Sequence, residues 1–212
     1  MPKASLTPDE VKSMLLAVSD AIIANEPYLS EADRNLGDGD HGLGMQRGFS
    51  AVKEKLAGMS GADGIDKLFS AAGMAMISSM GGASGAIFGT LFRDGGKSLA
   101  GVSQLDAAGY AAFLRAACDG VTNRGKAKPG DKTMVDALHP AAEKAAEVTA
   151  LPLSEAMDAV ALAGEAGRDA SKAMIATLGR AKTLGEKSVG FPDAGACSVA
   201  IILRTMSDFA EG

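Results

Sequence analysis

Apolar residues recur at three- and four-residue steps along almost the whole chain, and this spacing constrains the fold more than any other feature. The first apolar stripe consists of Val11, Met14, Leu15, Val18 and Ile22. Before it stand Thr7, Pro8 and Glu10. These three match an N-cap, a proline at the first helical position and the acidic partner of a capping box. The sequence therefore predicts an amphipathic helix that begins after Thr7.

Seven further stretches carry the same helical pattern. They run over residues 42–56, 64–80, 85–97, 103–123, 131–149, 154–178 and 195–210. Composition favours the same interpretation, because 40 residues are alanine, the best helix former, while aromatic residues make up only 4% of the chain. Short connections make successive helices antiparallel neighbours. We therefore expect an all-α fold, an eight-helix antiparallel up-and-down bundle or barrel, with residues 1–212 in a single domain.

Charge and cysteine content narrow the class of protein. The net charge is −5 and the basic residues are scattered among acidic ones, so we expect no nucleic-acid binding. Cys118 and Cys197 lie in separate apolar, helical stretches, which favours two buried thiols and a reducing environment. The first ten residues contain no signal-peptide core. A cytoplasmic location is the expectation.

One uncharged stretch could be mistaken for a membrane span. Residues 70–92 carry no charge, and Gly81, Gly85 and Gly89 repeat at every fourth position, as in membrane helix dimers. The Gly81-Gly82 pair and several serines interrupt its middle, and neither flank has an aromatic belt. We expect two helices joined by a buried glycine loop, with no membrane association.

Glycines and charged residues coincide in four loops. These read DRNLGDGDHGLG at 33–44, MGGASG at 80–85, NRGKAKPGDK at 123–132 and GRAKTLGEKSVGFPDAG at 179–195. Glycine allows backbone N–H groups to approach an anion closely. The four loops are therefore the candidate functional region.

The first loop brings together the carboxylates of Asp33, Asp38 and Asp40 within eight residues. Converging anions repel one another unless a cation lies between them, and Mg²⁺ suits such oxygens while keeping positions for water and phosphate. The G-x-G-x-x-G match at 37–42 follows no strand, and an EF-hand starting at Asp33 would need glutamate where Gly44 stands. A magnesium site and a solvated turn capped by aspartates both stay open at this point.

The next two loops add candidate anion-binding groups. Ala83 and Ser84 precede an apolar helix, where backbone N–H groups and a hydroxyl can face an anion, although close helix packing would use the same small residues. The third loop adds basic side chains, which form either a binding patch or a solvated charge run. They are Arg124, Lys126, Lys128 and Lys132. Carboxylates, glycine loops and cations together are what phosphoryl transfer requires. A nucleophile with its base is not evident, and the role of His41 stays open.

Four motifs, in this order and in a chain of this length, resemble the nucleotide-binding L subunits of bacterial dihydroxyacetone kinases. They are LGDGDHGLGMQRGF, MGGASGAIFGTLF, NRGKAKPGDKTMVDAL and GRAKTLGEKSVGFPDAGACS. The resemblance implies an eight-helix antiparallel barrel with ADP or ATP at one end, under a lid of loops. It also implies that Asp33, Asp38 and Asp40 bind two Mg²⁺ ions that bridge the nucleotide phosphates.

The same matching of motifs implies a nucleotide site. Its residues would be His41, Gly42, Leu43, Gly44, Ala83, Ser84, Gly125, Met134, Arg180, Asp193, Ala194 and Gly195. Arg180 would help to neutralise phosphate, and Met134 would pack on adenine. Gly44 stands where many relatives carry asparagine, and Ala194 stands where Asp-Pro-Gly is usual, so contacts at these two positions would rest on the backbone.

The resemblance also implies partners. In that family a histidine of a separate K subunit holds the ketone covalently and docks over the nucleotide end, which would explain the missing nucleophile. The donor is either ATP or a phosphohistidine-carrying M subunit of the phosphoenolpyruvate phosphotransferase system. The GDGDHG motif of this chain mixes the GDADHG and GDGDTG patterns of the two modes. The choice of donor, a different ketose such as erythrulose, and a homodimer all stay open.

Two other interpretations compete with this one. The nucleotide domain of fatty-acid kinase has a similar acidic loop that continues as DGDTG and Asn-Met, and His41 and Gly44 of this chain argue against it. A helical binding module that retains a nucleotide without turnover would have no need of three aspartates.

Overall fold

The computed structural model describes residues 3–212, and these form nine α-helices. The helices are α1 (Pro8–Ala24), α2 (Glu26–Arg34), α3 (His41–Ala57), α4 (Ile65–Ser79), α5 (Gly82–Lys97), α6 (Ala107–Gly125), α7 (Val135–Glu147), α8 (Leu153–Ala170) and α9 (Ala194–Glu211). Two-residue strands, β1 (Ser5–Leu6) and β2 (Leu105–Asp106), pair antiparallel. Short 3₁₀ helices lie at Gly61–Asp63, Ser171–Ala173 and Arg180–Ser188.

The helix boundaries confirm most of the sequence expectations. The side chain of Thr7 accepts a hydrogen bond from the Glu10 N–H in the predicted capping box of α1. The expected helix over 154–178 is too long, because α8 ends at Ala170 and the chain then turns through a 3₁₀ helix. Sequence reasoning also missed α2. That helix is short and mostly polar, and it buries only a few residues, among them Leu29 and Ala32.

The eight long helices form a closed ring. Each packs against the next along the chain from α3 to α9, α1 packs against α3, and α9 returns to pack against α1. Small residues allow the close approach of α4 and α5, since a methyl group on Gly73 would lie 2.5 Å from the carbonyl oxygen of Gly89. The barrel interior nonetheless holds aromatic rings, with the Phe69 and Phe113 centroids 4.5 Å apart. The all-α barrel is confirmed.

Alternating direction around the ring places the starts of α3, α5, α7 and α9 at one end of the barrel. The loops at 35–40, 80–81, 126–134 and 171–193 lie at this same end. The helix α2 packs beside it, against α3 and α9. The uncharged stretch at 70–92 is broken at Met80 and Gly81, and no helix of residues 3–212 is both long and apolar enough to cross a membrane.

Candidate functional site

A cavity of about 370 Å³ opens at the end of the barrel where α3, α5, α7 and α9 begin. The first residues of α3, α5 and α9 contribute to its wall, as does Met134, the N-cap of α7. The starts of α3 and α5 have no side-chain cap hydrogen bond, so backbone N–H groups there are available to a ligand. The first N–H groups of α7 are instead bonded to Thr133 and Met134. Peptide dipoles also give each helix start a partial positive charge. The cavity is therefore suited to an anion.

Three carboxylates line one side of this cavity. Asp33, Asp38 and Asp40 each present an oxygen, and these oxygens lie within 4.8 Å of one another. Glycines fold the loop that brings them together. A methyl group on Gly37 would lie 2.6 Å from Oδ1 of Asp33, and Gly39 has a φ of 78°. The acidic loop is thus a folded cluster rather than an extended turn.

The donor set of this cluster fits a hard divalent cation. Mg²⁺ binds oxygen at about 2.0–2.1 Å, so opposite ligands on one ion lie about 4.1 Å apart. The observed spread of 4.8 Å exceeds that value only slightly. Asp38 and Asp40 are exposed and Asp33 is half-buried, which leaves two of the three carboxylates free to rotate. Small side-chain rotations would let the cluster share one ion or span two.

Arg180 supplies the positive charge beside this cluster. Its guanidinium pairs with Asp38 and lies 3.6 Å from Oδ2 of Asp40. The residue belongs to the segment that connects α8 with α9 and lines the cavity. Arg180 therefore bridges the carboxylates, and a metal ion that enters the cluster must compete with it.

His41 connects the starts of two helices. Its Nε2 lies 2.8 Å from Oγ of Ser198, which itself donates to the carbonyl of Ala194 at 3.3 Å. Because the Ser198 hydroxyl donates onward, it accepts from Nε2–H of His41. Burial lowers the pKa of His41, so the ring is neutral at pH 7. The backbone N–H of His41 donates to Oδ2 of Asp33 at 3.3 Å, which couples α3 to the acidic cluster.

Asp193 is the N-cap of α9, and its carboxylate accepts from the Ala196 N–H at 2.8 Å. The residue as a whole is only partly buried, but its carboxyl group faces the protein interior. Burial raises the pKa of Asp193 to about 7, and the nearby Asp136 charge adds to the rise while Lys132 opposes it. A carboxyl group thus sits at the cavity wall close to its protonation midpoint at neutral pH.

The structure brings most of the candidate residues into the cavity wall. Present there are Asp33, Asp38, Asp40, His41, Gly44, Ala83, Ser84, Met134, Arg180, Asp193, Ala194 and Gly195. Three others lie outside it. Gly42 faces the backbone of α2, Leu43 is exposed, and a methyl group on Gly125 would touch Ile87.

The third loop contributes less positive charge than its composition suggested. Arg124, Lys126 and Lys128 are exposed and lie outside the cavity wall. Lys132 does reach the wall, but it is 2% exposed and thus buried rather than solvated. The four basic residues therefore do not form one patch at the cavity.

Sequence reasoning missed several cavity residues. One is Arg47, which lies three residues after Gly44 on α3, so helical periodicity could have placed both on one face. The others are apolar residues that, apart from the adjacent Ile87 and Phe88 on α5, come from separate elements and are linked by no sequence spacing. They are Leu36, Met80, Ile87, Phe88 and Leu178. With Met134 they supply apolar surface to the cavity.

Comparison with known proteins places this arrangement in a family. The profile of the DAK2 domain matches residues 35–208. The chain is 37% identical to the ADP-binding subunit DhaL of the PEP-dependent dihydroxyacetone kinase of Escherichia coli K12. The aligned 205 residues make up 96% of this chain and 97% of that subunit. A DhaL subunit of Listeria innocua is 39% identical over 182 residues, or 86% of each chain.

Longer proteins also match. D-erythrulose kinase of Mycolicibacterium smegmatis is 40% identical over 196 residues, which are 91% of this chain and 34% of that kinase. The solved dihydroxyacetone kinase of C. freundii in complex with AMP-PNP and Mg²⁺ superposes with a TM-score of 0.73 at 22% identity, over 98% of this chain and 34% of that one. This likeness confirms the barrel fold. The chain spans about a third of the length of these kinases.

Proposed function

Because this chain belongs to the DAK2-domain family, we propose that it is the nucleotide-binding subunit of a dihydroxyacetone kinase. In this role it transfers a phosphoryl group from a magnesium-bound nucleotide to dihydroxyacetone held on a separate K subunit. One observation carries the proposal. A carboxylate cluster suited to a divalent cation shares a cavity with the uncapped starts of α3 and α5, which are suited to phosphate.

Each side of the cavity has a part in nucleotide binding. Backbone N–H groups at Ala83 and Ser84 would donate hydrogen bonds to phosphate oxygens, since the start of α5 has no side-chain cap. The apolar surface around Met134 would pack on adenine. Asp33, Asp38 and Asp40 would hold two Mg²⁺ ions, which supply charge neutralisation on the phosphates. Arg180 would turn from the carboxylates to a phosphate when the ions bind.

The partner subunit has access to this site. The side chains of Asp38, Asp40 and Arg180 are 51%, 65% and 62% exposed. His41 is neutral and its Nε2 is engaged by Ser198, so it is poorly placed to activate a substrate hydroxyl. The chain would therefore position and neutralise the phosphoryl group, while the partner would position the acceptor. Positioning and charge stabilisation supply most of the catalysis in phosphoryl transfer.

Reconstitution tests the proposal. The purified chain is mixed with a K-type subunit, dihydroxyacetone, Mg²⁺ and either ATP or ADP with a phosphorylated M subunit, and formation of the ketose phosphate is measured. We expect turnover only when both subunits are present. Turnover by the isolated chain would refute the need for a partner. Tight nucleotide binding without turnover in any combination would favour a non-catalytic nucleotide-binding module.

The donor and the ketose need separate tests. Relatives named as subunits of PEP-dependent dihydroxyacetone kinases and relatives named as erythrulose kinases match this chain at similar identity, 37–40%. An ATP-dependent erythrulose kinase subunit is therefore the alternative, and D- and L-erythrulose belong in the assay. ADP retained through purification would favour rephosphorylation by an M subunit, whereas an exchanging site would favour ATP. A cytoplasmic location and a single domain over residues 1–212 belong to the same proposal.

A further inference from the structure

Lys132 is a buried lysine with an unusual set of partners. Its Nζ donates to the carbonyl oxygens of Ser171 at 2.7 Å, Met174 at 3.2 Å and Phe191 at 2.7 Å. Only 2% of the residue is exposed, and its backbone φ of 59° is in the left-handed region, which residues other than glycine seldom adopt. A buried charge in a strained backbone position persists only when its surroundings require it there.

The three carbonyls belong to the two ends of one segment. This segment, residues 171–193, connects α8 to α9 and carries Arg180; we call it the lid segment. Ser171 and Met174 lie at its beginning and Phe191 lies near its end, so the ammonium group of Lys132 is hydrogen-bonded to both ends of the segment.

Two further contacts join the same ends. The Gly190 N–H donates to the Lys172 carbonyl at 2.7 Å, and the Asp193 N–H donates to Oγ of Ser171 at 3.0 Å. The lid segment is thus a closed loop whose neck surrounds the ammonium group of Lys132.

The chemistry of the neck suits lysine. An ammonium group has three N–H donors, and at Lys132 all three are directed at carbonyls, which leaves none for a phosphate. The planar fork of arginine has a different donor geometry and cannot converge on three carbonyls from one point. Lys132 therefore acts through the lid segment rather than on a ligand, although it lies at the cavity wall.

We propose that Lys132 is a positioning residue that closes the neck of the lid segment and thereby holds Arg180 over the carboxylate cluster. The part of this inference that concerns nucleotide retention rests on the proposed function. The part that concerns the neck does not. Without the ammonium group, the two ends of the segment separate, Arg180 leaves Asp38 and Asp40, and a bound nucleotide loses the side chain expected to cover its phosphates.

Hydrogen exchange on the nucleotide-free protein tests the neck directly. In Lys132→Met, we expect the amides of Ala176, Thr177 and Gly190, all hydrogen-bonded within the neck region, to exchange at least tenfold faster, with unchanged exchange in α1 and α4. Lys187→Met, an identical change at an exposed lysine of the lid segment, should match the wild type. Unchanged exchange of the three amides in a folded Lys132→Met protein would overturn the proposal.

Nucleotide kinetics test the connection to Arg180. We expect nucleotide dissociation to be about tenfold faster in Lys132→Met, with little change in association. Because Lys132 affects nucleotide only by holding Arg180 in place, the double variant Lys132→Met/Arg180→Ala should release nucleotide no faster than Arg180→Ala alone. Additive effects would mean a general structural role and would overturn the positioning role. Absence of nucleotide binding by the wild type would refute the proposed function and leave the exchange test valid.

The wild-type chain provides a test that does not depend on a variant's folding. Three hydrogen bonds should slow the exchange of the Lys132 ammonium protons with water. In a spectrum of ¹⁵N-labelled lysine side chains, we expect one such signal at neutral pH, with through-bond couplings to the carbonyls of Ser171 and Phe191. Absence of a protected lysine ammonium signal would overturn the proposal, even if Lys132→Met does not fold.

Discussion

Two glycines near the start of α3 should respond in opposite ways to the same substitution. An alanine Cβ at position 42 would lie 2.3 Å from the carbonyl oxygen of Glu26 and 2.4 Å from Oγ of Ser30, both on α2. At position 44, the nearest atom would be Nη2 of Arg47 at 3.8 Å, an ordinary contact. Gly42→Ala and Gly44→Ala are therefore a matched pair on one helix.

The expected magnitudes follow from these distances. Carbon and oxygen meet comfortably at about 3.3 Å or more, so Gly42→Ala must push α2 away by about 1 Å. Such overpacking costs about 1–3 kcal/mol, partly offset by up to about 1 kcal/mol of helix propensity. Gly44→Ala keeps that gain without the clash. We expect the free energy of unfolding to differ between the two variants by about 1–3 kcal/mol, with Gly42→Ala the less stable.

Urea unfolding monitored by circular dichroism measures this difference, and equal m-values would show that the two transitions are comparable. In a chain of this size, each kcal/mol also shifts the Tm by about 2–4 °C. Since α2 carries Asp33, Gly42→Ala should weaken Mg²⁺ binding as well. Gly44→Ala should instead weaken nucleotide binding, because position 44 lines the cavity. Equal or greater stability of Gly42→Ala would refute the packing of α2 on α3.

Three further predictions concern charged groups at the cavity. Asp40→Asn should abolish magnesium-dependent nucleotide binding, measured by calorimetry, and leave helicity unchanged. The control is Asp20→Asn, since Asp20 is an exposed acidic residue on α1. Normal nucleotide affinity in Asp40→Asn would contradict the metal assignment. Arg180→Ala should tighten Mg²⁺ binding in the absence of nucleotide, because the guanidinium competes with the ion for Asp38 and Asp40. The same variant should weaken nucleotide binding. Weaker Mg²⁺ binding by the nucleotide-free variant would contradict the competition. In the folded protein the pKa of Asp193 is raised to about 7, above its value in the unfolded chain. The free energy of unfolding should therefore be highest at low pH, where Asp193 is protonated in both states, and should fall as the pH rises from about 4 to 7. Asp193→Asn keeps a capping side chain but cannot titrate, so its free energy of unfolding, measured without divalent cations, should fall less than that of the wild type between about pH 4 and 7. Parallel pH profiles of the variant and the wild type would exclude Asp193 as the cause of the fall.

The sequence by itself determined the local elements and the clustering of carboxylates in the acidic loop. Helical periodicity and caps depend on residues within a few positions of one another, so the start of α1 at the Thr7 cap and the all-α class could be read directly. The acidic loop was readable for the same reason, since glycines between Asp33 and Asp40 fold the chain locally. The motif resemblance gave the family, which the comparisons confirm.

Only the tertiary structure decided how distant groups meet. Asp38 and Arg180 are paired although most of the chain separates them. Lys132, for which the sequence left a binding patch and a solvated charge run open, is a buried group that binds three carbonyls. Gly42 and Gly44 have the same local sequence character, but one faces α2 and the other the cavity. The first of these contacts depends on closure of the ring between α9 and α1. Ring closure brings together helices that are far apart in the sequence. A pattern repeated every three or four residues shows which face of a helix is apolar, but it does not show which other helix that face will contact.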